Sequence, residues 1–213
     1  MLLVKRFTFN PFLENTYIIY DDQNLDGAII DPGCYDSNEQ KMIEKFIGDN
    51  KIRLKFLINT HCHIDHIFGN AFIKEKYNPV FMVPPDDVFL LDMMIEQGKL
   101  YGTELTPSPK PDKLISEDSE LIIGSAIGKF LFTPGHSPGE FCLYFESEKI
   151  CFTGDVLFKG SIGRTDLWGG DYKTLIDSIR NKLFVLPDDI RIYPGHEAES
   201  TIGRERNHNP FFQ

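Results

Sequence analysis

The chain has 213 residues with 22 Lys and Arg against 32 Asp and Glu, a formal charge of −10 and a pI near 5.0. Such a surface repels phosphate backbones, which counts against a nuclease or another nucleic-acid partner. No apolar run approaches the ~20 residues of a membrane span, and Met1-Leu2-Leu3-Val4-Lys5-Arg6 lacks the features of a secretory signal, so a cytoplasmic protein without a membrane partner is expected.

In chain order, Leu2 to Phe9, Thr16 to Tyr20 and Ala28 to Ile30 read as strands of a meander, the last stopped by Asp31-Pro32-Gly33. Ser37-Asn38-Glu39-Gln40 fits a capping box, and Met42, Ile43, Phe46 and Ile47 then share one helix face. Leu54 to Ile58 reads as a short apolar strand buried on both faces of a sheet. After the histidine-rich stretch that follows it, a helix continues from Asn70 to Lys76, Asn78-Pro79 breaks it, and Val80 to Val83 is another strand. Val88, Leu91, Met94 and Ile95 have helical spacing and read as core more readily than as a substrate wall. The proline-interrupted segment Thr106 to Asp112 is linker-like and could join two half-domains. Further strands are expected at Leu121 to Ile123, Lys129 to Phe132, Phe141 to Phe145 and Ile150 to Phe152. Asp171 can cap a helix with Leu175, Ile176, Ile179 and Leu183 on its apolar face, and Ile190 to Tyr193 is the final strand. Two strand-then-helix halves predict an α/β fold of four layers, helix, sheet, sheet, helix. Cys34, Cys62, Cys142 and Cys151 lack C-x-x-C spacing and read as reduced thiols.

The chemistry is concentrated in Thr60-His61-Cys62-His63-Ile64-Asp65-His66, which holds three of the chain's six histidines. In an extended segment His61 and His63 face the same way, and a helix starting at Ile64 aims Asp65 and His66 at a neighbouring position. Imidazole and carboxylate donors suit zinc, iron or manganese in an open site. His136 after Thr133-Pro134-Gly135, Asp155 after Thr153-Gly154 and His196 after Pro194-Gly195 lie at the ends of other strand-like runs. Ligands gather beyond such strand ends, where loops carry function, and a glycine before each donor allows a sharp turn.

This H-x-H-x-D-H block, followed by His136, Asp155 and His196, resembles the metal-ligand series of the metallo-β-lactamase-fold superfamily over essentially the whole chain. The resemblance implies the αββα fold as a single domain over residues 1–213. It also implies two divalent metal ions, zinc first and iron or manganese next: His61, His63 and His136 on one, Asp65, His66 and His196 on the other, with Asp155 bridging. The segment Gly154 to Asp166 resembles the hydroxyacylglutathione hydrolase (glyoxalase II) branch, and the ending from Gly195 to Phe212 its small members, which lack the additional helical domain that supplies much of the glutathione grip. The expected activity is therefore hydrolysis of a small anionic thioester such as S-lactoylglutathione by a metal-activated hydroxide, with Asp65 and Asp155 fixing ions and nucleophile. Lys159 and Arg164 are candidate contacts for a substrate carboxylate, with Arg204 and Arg206 weaker ones. The alternatives are a mononuclear non-haem iron persulfide dioxygenase, another hydrolase of the superfamily, and a non-catalytic metal-binding module.

Overall fold

A computed structural model describes residues 1–100 and 105–213, which fall into two compact units. The first spans Met1–Ile115 with Ile122–Ala126. Its six-stranded sheet follows the order β1 (Leu2–Phe9), β2 (Glu14–Asp21), β3 (Asp26–Ile30), β4 (Arg53–Ile58), β5 (Val80–Val83) and β6 (Lys113–Leu114). The first three strands pair antiparallel and the rest parallel, because the β3–β4 and β4–β5 connections are long enough to return the chain through helices.

Those helices are α1 (Ser37–Asp49), α2 (Ile64–Ile67), α3 (Asn70–Tyr77) and α4 (Val88–Leu100). Ile43 and Ile47 of α1, Ile64 and Ile67 of α2, Ile73 of α3 and Leu90, Leu91 and Met94 of α4 share one core with Phe7, Ile18, Ile29, Leu57 and Phe81 of the strands. Alternate residues such as Tyr17 and Ile19 are buried on the opposite sheet face. Of the predicted α4 stripe, Leu91 and Met94 are core and Val88 packs against it, while Ile95 is only half-buried.

Four local expectations change. The cap of α1 is Asp36, whose carboxylate accepts from Asn38 N and Glu39 N, while Glu39 takes the amides of Asn10 and Tyr35 instead of closing a box on Ser37. Met42 is exposed, so the buried face of α1 is narrower than predicted. In β4, Arg53 and Lys55 are exposed and Phe56 is half-buried, so that strand is buried on both faces only at Leu57 and Ile58, next to the histidine stretch. The segment Thr106 to Asp112 lies inside the first unit. Its end is pinned to the sheet by Asp112, which donates its amide to Phe81 O and accepts from Phe81 N.

The second unit spans Ser116–Leu121 and Ile127–Gln213. It carries most of β7 to β10 (Glu120–Ile123, Ala126–Phe132, Phe141–Phe145, Ile150–Gly154), then β11 (Leu157–Phe158), β12 (Ser161–Ile162), α5 (Tyr172–Ser178), β13 (Arg191–Pro194), β14 (Ser200–Thr201) and α6 (Ile202–His208). Its main sheet has the order β14-β13-β10-β9-β8-β7, while β11 and β12 form a separate hairpin. Asp171 caps α5 by accepting from Thr174 N, and α5 widens into a π-turn over Ile179–Leu183. The predicted face of Leu175, Ile176, Ile179 and Leu183 packs on Cys142, Cys151 and Ile192. All four cysteines are free and buried, and burial pushes the thiols of Cys34, Cys62 and Cys142 up. Among the described residues no helix is long and apolar enough to cross a membrane.

Candidate metal centre

In the first unit β4 ends at Ile58 and the chain turns through Asn59 to His63, which occupies the N-cap position of α2. His61 and His66 are fully buried, and His63 and Asp65 are partly exposed. The rings of His61 and His63 lie 4.9 Å apart and those of His61 and His66 4.1 Å apart. Cys62 points away into the core, as expected from alternation along an extended segment. The short helix is held from behind by Asn59, which donates to His66 O and accepts from Asn70 Nδ2.

Asp31, in sequence only a turn signal, joins this group. Its carboxylate is buried, accepts from Thr60 N at 2.7 Å and Thr60 Oγ1 at 2.6 Å, and faces His66 Nδ1 at 3.3 Å. Ligating atoms of Asp31, His61 and His66 lie within 4.8 Å of one another. With Asp31 engaged by Thr60 and His66, it serves best as the partner that orients His66 and leaves Nε2 outward, 3.7 Å from Asp65 Oδ2. Thr60 Oγ1 donates to Asp31 and therefore accepts from His61 Nδ1, 3.2 Å away, which turns His61 Nε2 outward as well. The only available signal was position: Asp31 ends a strand neighbouring β4 in the same parallel array.

The second unit brings His136, Asp155 and His196 together. His136 is buried and donates from Nδ1 to Arg164 O at 2.8 Å, leaving Nε2 as its ligand atom. Asp155 Oδ2 is 3.5 Å from His136 Nε2 and 3.5 Å from His196 Nε2. These separations are long for hydrogen bonds. Each separation matches a pair of donors on a common ion, since ligands about 2.0–2.1 Å from zinc at a tetrahedral angle stand roughly 3.4 Å apart. Glu140, also unmarked in the sequence, accepts Asp155 N at 2.6 Å.

Backbone geometry aims these groups. Gly135 has φ 134°, and a Cβ there would fall 2.3 Å from Leu175 N. Gly154 has φ 48°, and its carbonyl accepts Gly195 N at 2.7 Å, tying the Asp155 turn to the His196 turn. Gly195 itself is not in the left-handed region; the residue after the histidine, Glu197, is, at φ 66°. The ring of His196 packs edge-on against Phe158.

The proposed substrate contacts fare differently. Lys159 is exposed. The Arg164 guanidinium forks onto Asp166 at 2.6 and 2.7 Å and holds that carboxyl down at about 2, while its backbone carbonyl fixes His136. Arg206 is committed to Asp188 and Leu186 O, and Arg204 is exposed beside Glu205.

The model of the metallo-beta-lactamase superfamily matches residues 9–196. The chain belongs to that superfamily. It is 38% identical over 202 residues to the hydroxyacylglutathione hydrolase GloC of Haemophilus influenzae, covering 94% of this chain and 93% of that protein. Its fold is similar to the crystal structure of BLEG-1 B3 metallo-beta-lactamase, with a TM-score of 0.90 and 31% identity over 99% of this chain and 100% of that one. It is also similar to TTHA1623 in a di-iron-bound form, with a TM-score of 0.85 and 30% identity over 97% and 99%. This superfamily member is accordingly a metal-dependent hydrolase, and its fold is one that binds divalent metal ions.

Proposed function

We propose that the protein is a thioesterase of the glyoxalase II type, in which His61, His63 and His136 hold one divalent ion, Asp65, His66 and His196 hold a second, and Asp155 is shared. The observation that carries this reading is the equal 3.5 Å separation of Asp155 Oδ2 from His136 Nε2 and His196 Nε2, the arrangement expected of an oxygen shared between two ions. The donor set of imidazoles and carboxylates fits zinc, iron or manganese, and the relative that acts on hydroxyacylglutathione supports a thioester as substrate.

When bound, a pair of such ions would lower the pKa of a coordinated water towards about 7 and polarise a carbonyl. The chain's residues do the rest. Asp65 and Asp155 orient the attacking water by accepting its hydrogen bonds, Asp31 and Arg164 O fix the tautomers of His66 and His136, and Glu140 anchors the backbone of Asp155. Lys159 and Arg164 are retained as contacts for an anionic substrate; for Arg164 this requires release from Asp166. A cytoplasmic location, with neither a nucleic-acid nor a membrane partner, completes the reading and is supported by the acidic charge and the cysteine pattern.

The test is metal stoichiometry by mass spectrometry on protein purified without added metal, followed by thioester turnover. Two metal equivalents with S-lactoylglutathione hydrolysis that disappears in Asp155→Ala support the reading. One iron per chain with oxygen uptake on glutathione persulfide would make the protein a dioxygenase instead.

A further inference from the structure

The geometry points to a preformed apolar pocket beside the metal loop that receives the acyl side group of the substrate, an inference that rests on the thioesterase reading. A cavity of about 170 Å³ in the first unit is lined by Pro11 and Phe12 of the β1–β2 connection, Tyr35 before α1, Ile64 and Phe68 of the α2 turn, Gly98 of α4, and Leu105. Ile64 stands between His63 and Asp65 in the chain, so one wall of the cavity is the turn of helix that presents the metal donors.

Three of the walls are tied together by one side chain. Asn10, at φ 52°, donates from Nδ2 to Gly33 O and to Asp65 O, both at 3.0 Å, and accepts from Phe12 N at 3.0 Å. Glu39 adds a second tie by accepting Asn10 N at 2.8 Å and Tyr35 N at 2.6 Å. Phe68 meets Tyr35 edge-on at 5.1 Å and Phe12 at 6.5 Å. The pocket is thus shaped before any ligand arrives, which lowers the ordering cost of binding. Phe12 and Tyr35 are 40% and 37% exposed, so solvent reaches its rim.

Size and lining select the occupant. An apolar cavity of about 150 Å³ takes up benzene, whereas complete small-molecule sites run to roughly 300–1,000 Å³. The space therefore suits a side group and not a whole substrate. Among the described residues its walls carry no charged side chain, and the Tyr35 hydroxyl is their one polar side-chain group. A peptide-like thiol carrier would lose its hydration there without replacement. A lactoyl group, with one methyl and a hydroxyl, would leave most of the space unfilled. A branched or aromatic hydrocarbon of about six carbons, carried on the acyl carbon, fits.

The experiment compares kcat/KM for acetyl, lactoyl, isovaleryl and phenylacetyl thioesters of one thiol carrier. Phenylacetyl is expected to exceed acetyl by at least about 10-fold, the discrimination available to a pocket that gains several buried carbons. That ratio should fall towards unity in Gly98→Leu, which adds a side chain to the cavity wall, and should drop in Phe12→Ala, which opens the rim. Phe12 is on an exposed loop, so its variant carries the test if Gly98→Leu does not fold. Independently of turnover, toluene titrated into metal-free protein should shift the Ile64 methyl resonances saturably, and less so in the variants. No turnover of any thioester overturns the thioesterase reading and the acyl assignment with it. Turnover indifferent to the acyl group, with no toluene shift at Ile64, overturns the acyl assignment alone.

Discussion

Replacing Asp31 with Asn separates the orienting role of this residue from simple packing. The side chain keeps its volume, and one oxygen can still accept Thr60 N. The amide that replaces Oδ2 cannot accept from Thr60 Oγ1 at 2.6 Å or from His66 Nδ1 at 3.3 Å. Hydrogen bonds to a buried charged acceptor contribute about 1.5–3 kcal/mol each; the His66 contact is long, so the metal-free protein should lose roughly 2–4 kcal/mol. His66 also loses the partner that fixes its tautomer, and losses of that kind weaken metal binding about 10–100-fold. Urea unfolding of chelated protein gives the first quantity, and competition with a chromophoric chelator gives the second. If Asp31→Asn destabilised the metal-free chain yet left affinity for both metal equivalents within about twofold of the parent, Asp31 would be a packing residue and the orientation argument would fail.

Gly135→Ala should cost at least about 1–3 kcal/mol from the backbone conformation alone, plus the clash with Leu175 N, and should lower metal occupancy because His136 follows it; urea denaturation and metal analysis check both. Full chelation of protein held at metal 100-fold above its dissociation constant should lower the melting temperature by roughly 5–10 °C, reversibly, and an unchanged melting curve would argue against structural coupling. Asp166 is depressed to about 2 by the Arg164 fork. Its contribution to stability is therefore present above the unfolded value near 3.9 and fades as pH falls from about 4 to 2. The stability gap between the parent and Asp166→Asn should close over that window in pH-dependent melting, and a gap that widens towards acid would reverse the assignment. Native protein should resist thiol alkylation at neutral pH, since all four cysteines are buried; mass spectrometry after brief iodoacetamide treatment reads this directly.

The long elements and the early histidine cluster were legible because each carries a local signal: the apolar runs and turn residues that bound β2 and β3, the Asp171 cap of α5, the tight His61 to His66 spacing. Asp31 and Glu140 were not, because a carboxylate whose partners lie 29 or 15 residues away leaves no mark on its own neighbourhood. The same limit explains the α1 cap. Ser37 and Asp36 are both competent caps by type, and the choice falls to Asp36 because Glu39 is drawn off by Asn10 and Tyr35. The continuous burial expected over Leu54 to Ile58 failed at Lys55, whose charged end reaches Asp26 on the neighbouring strand. Arg164 shows a related limit: its position beside a motif suggests a substrate contact, and nothing in the sequence shows that its guanidinium pairs with Asp166.

The pairing of β10 with β13 sets Ile150 beside Arg191, across a stretch that holds the hairpin of β11 and β12 and the whole of α5. Closing so wide a loop is slow compared with zipping a neighbouring hairpin. Asp155 and His196 therefore meet only when β13 docks on β10. A nascent chain emerging from the ribosome would have its early histidines long before it had a complete cradle, so competence to retain a cation becomes a marker of finished folding and not its trigger.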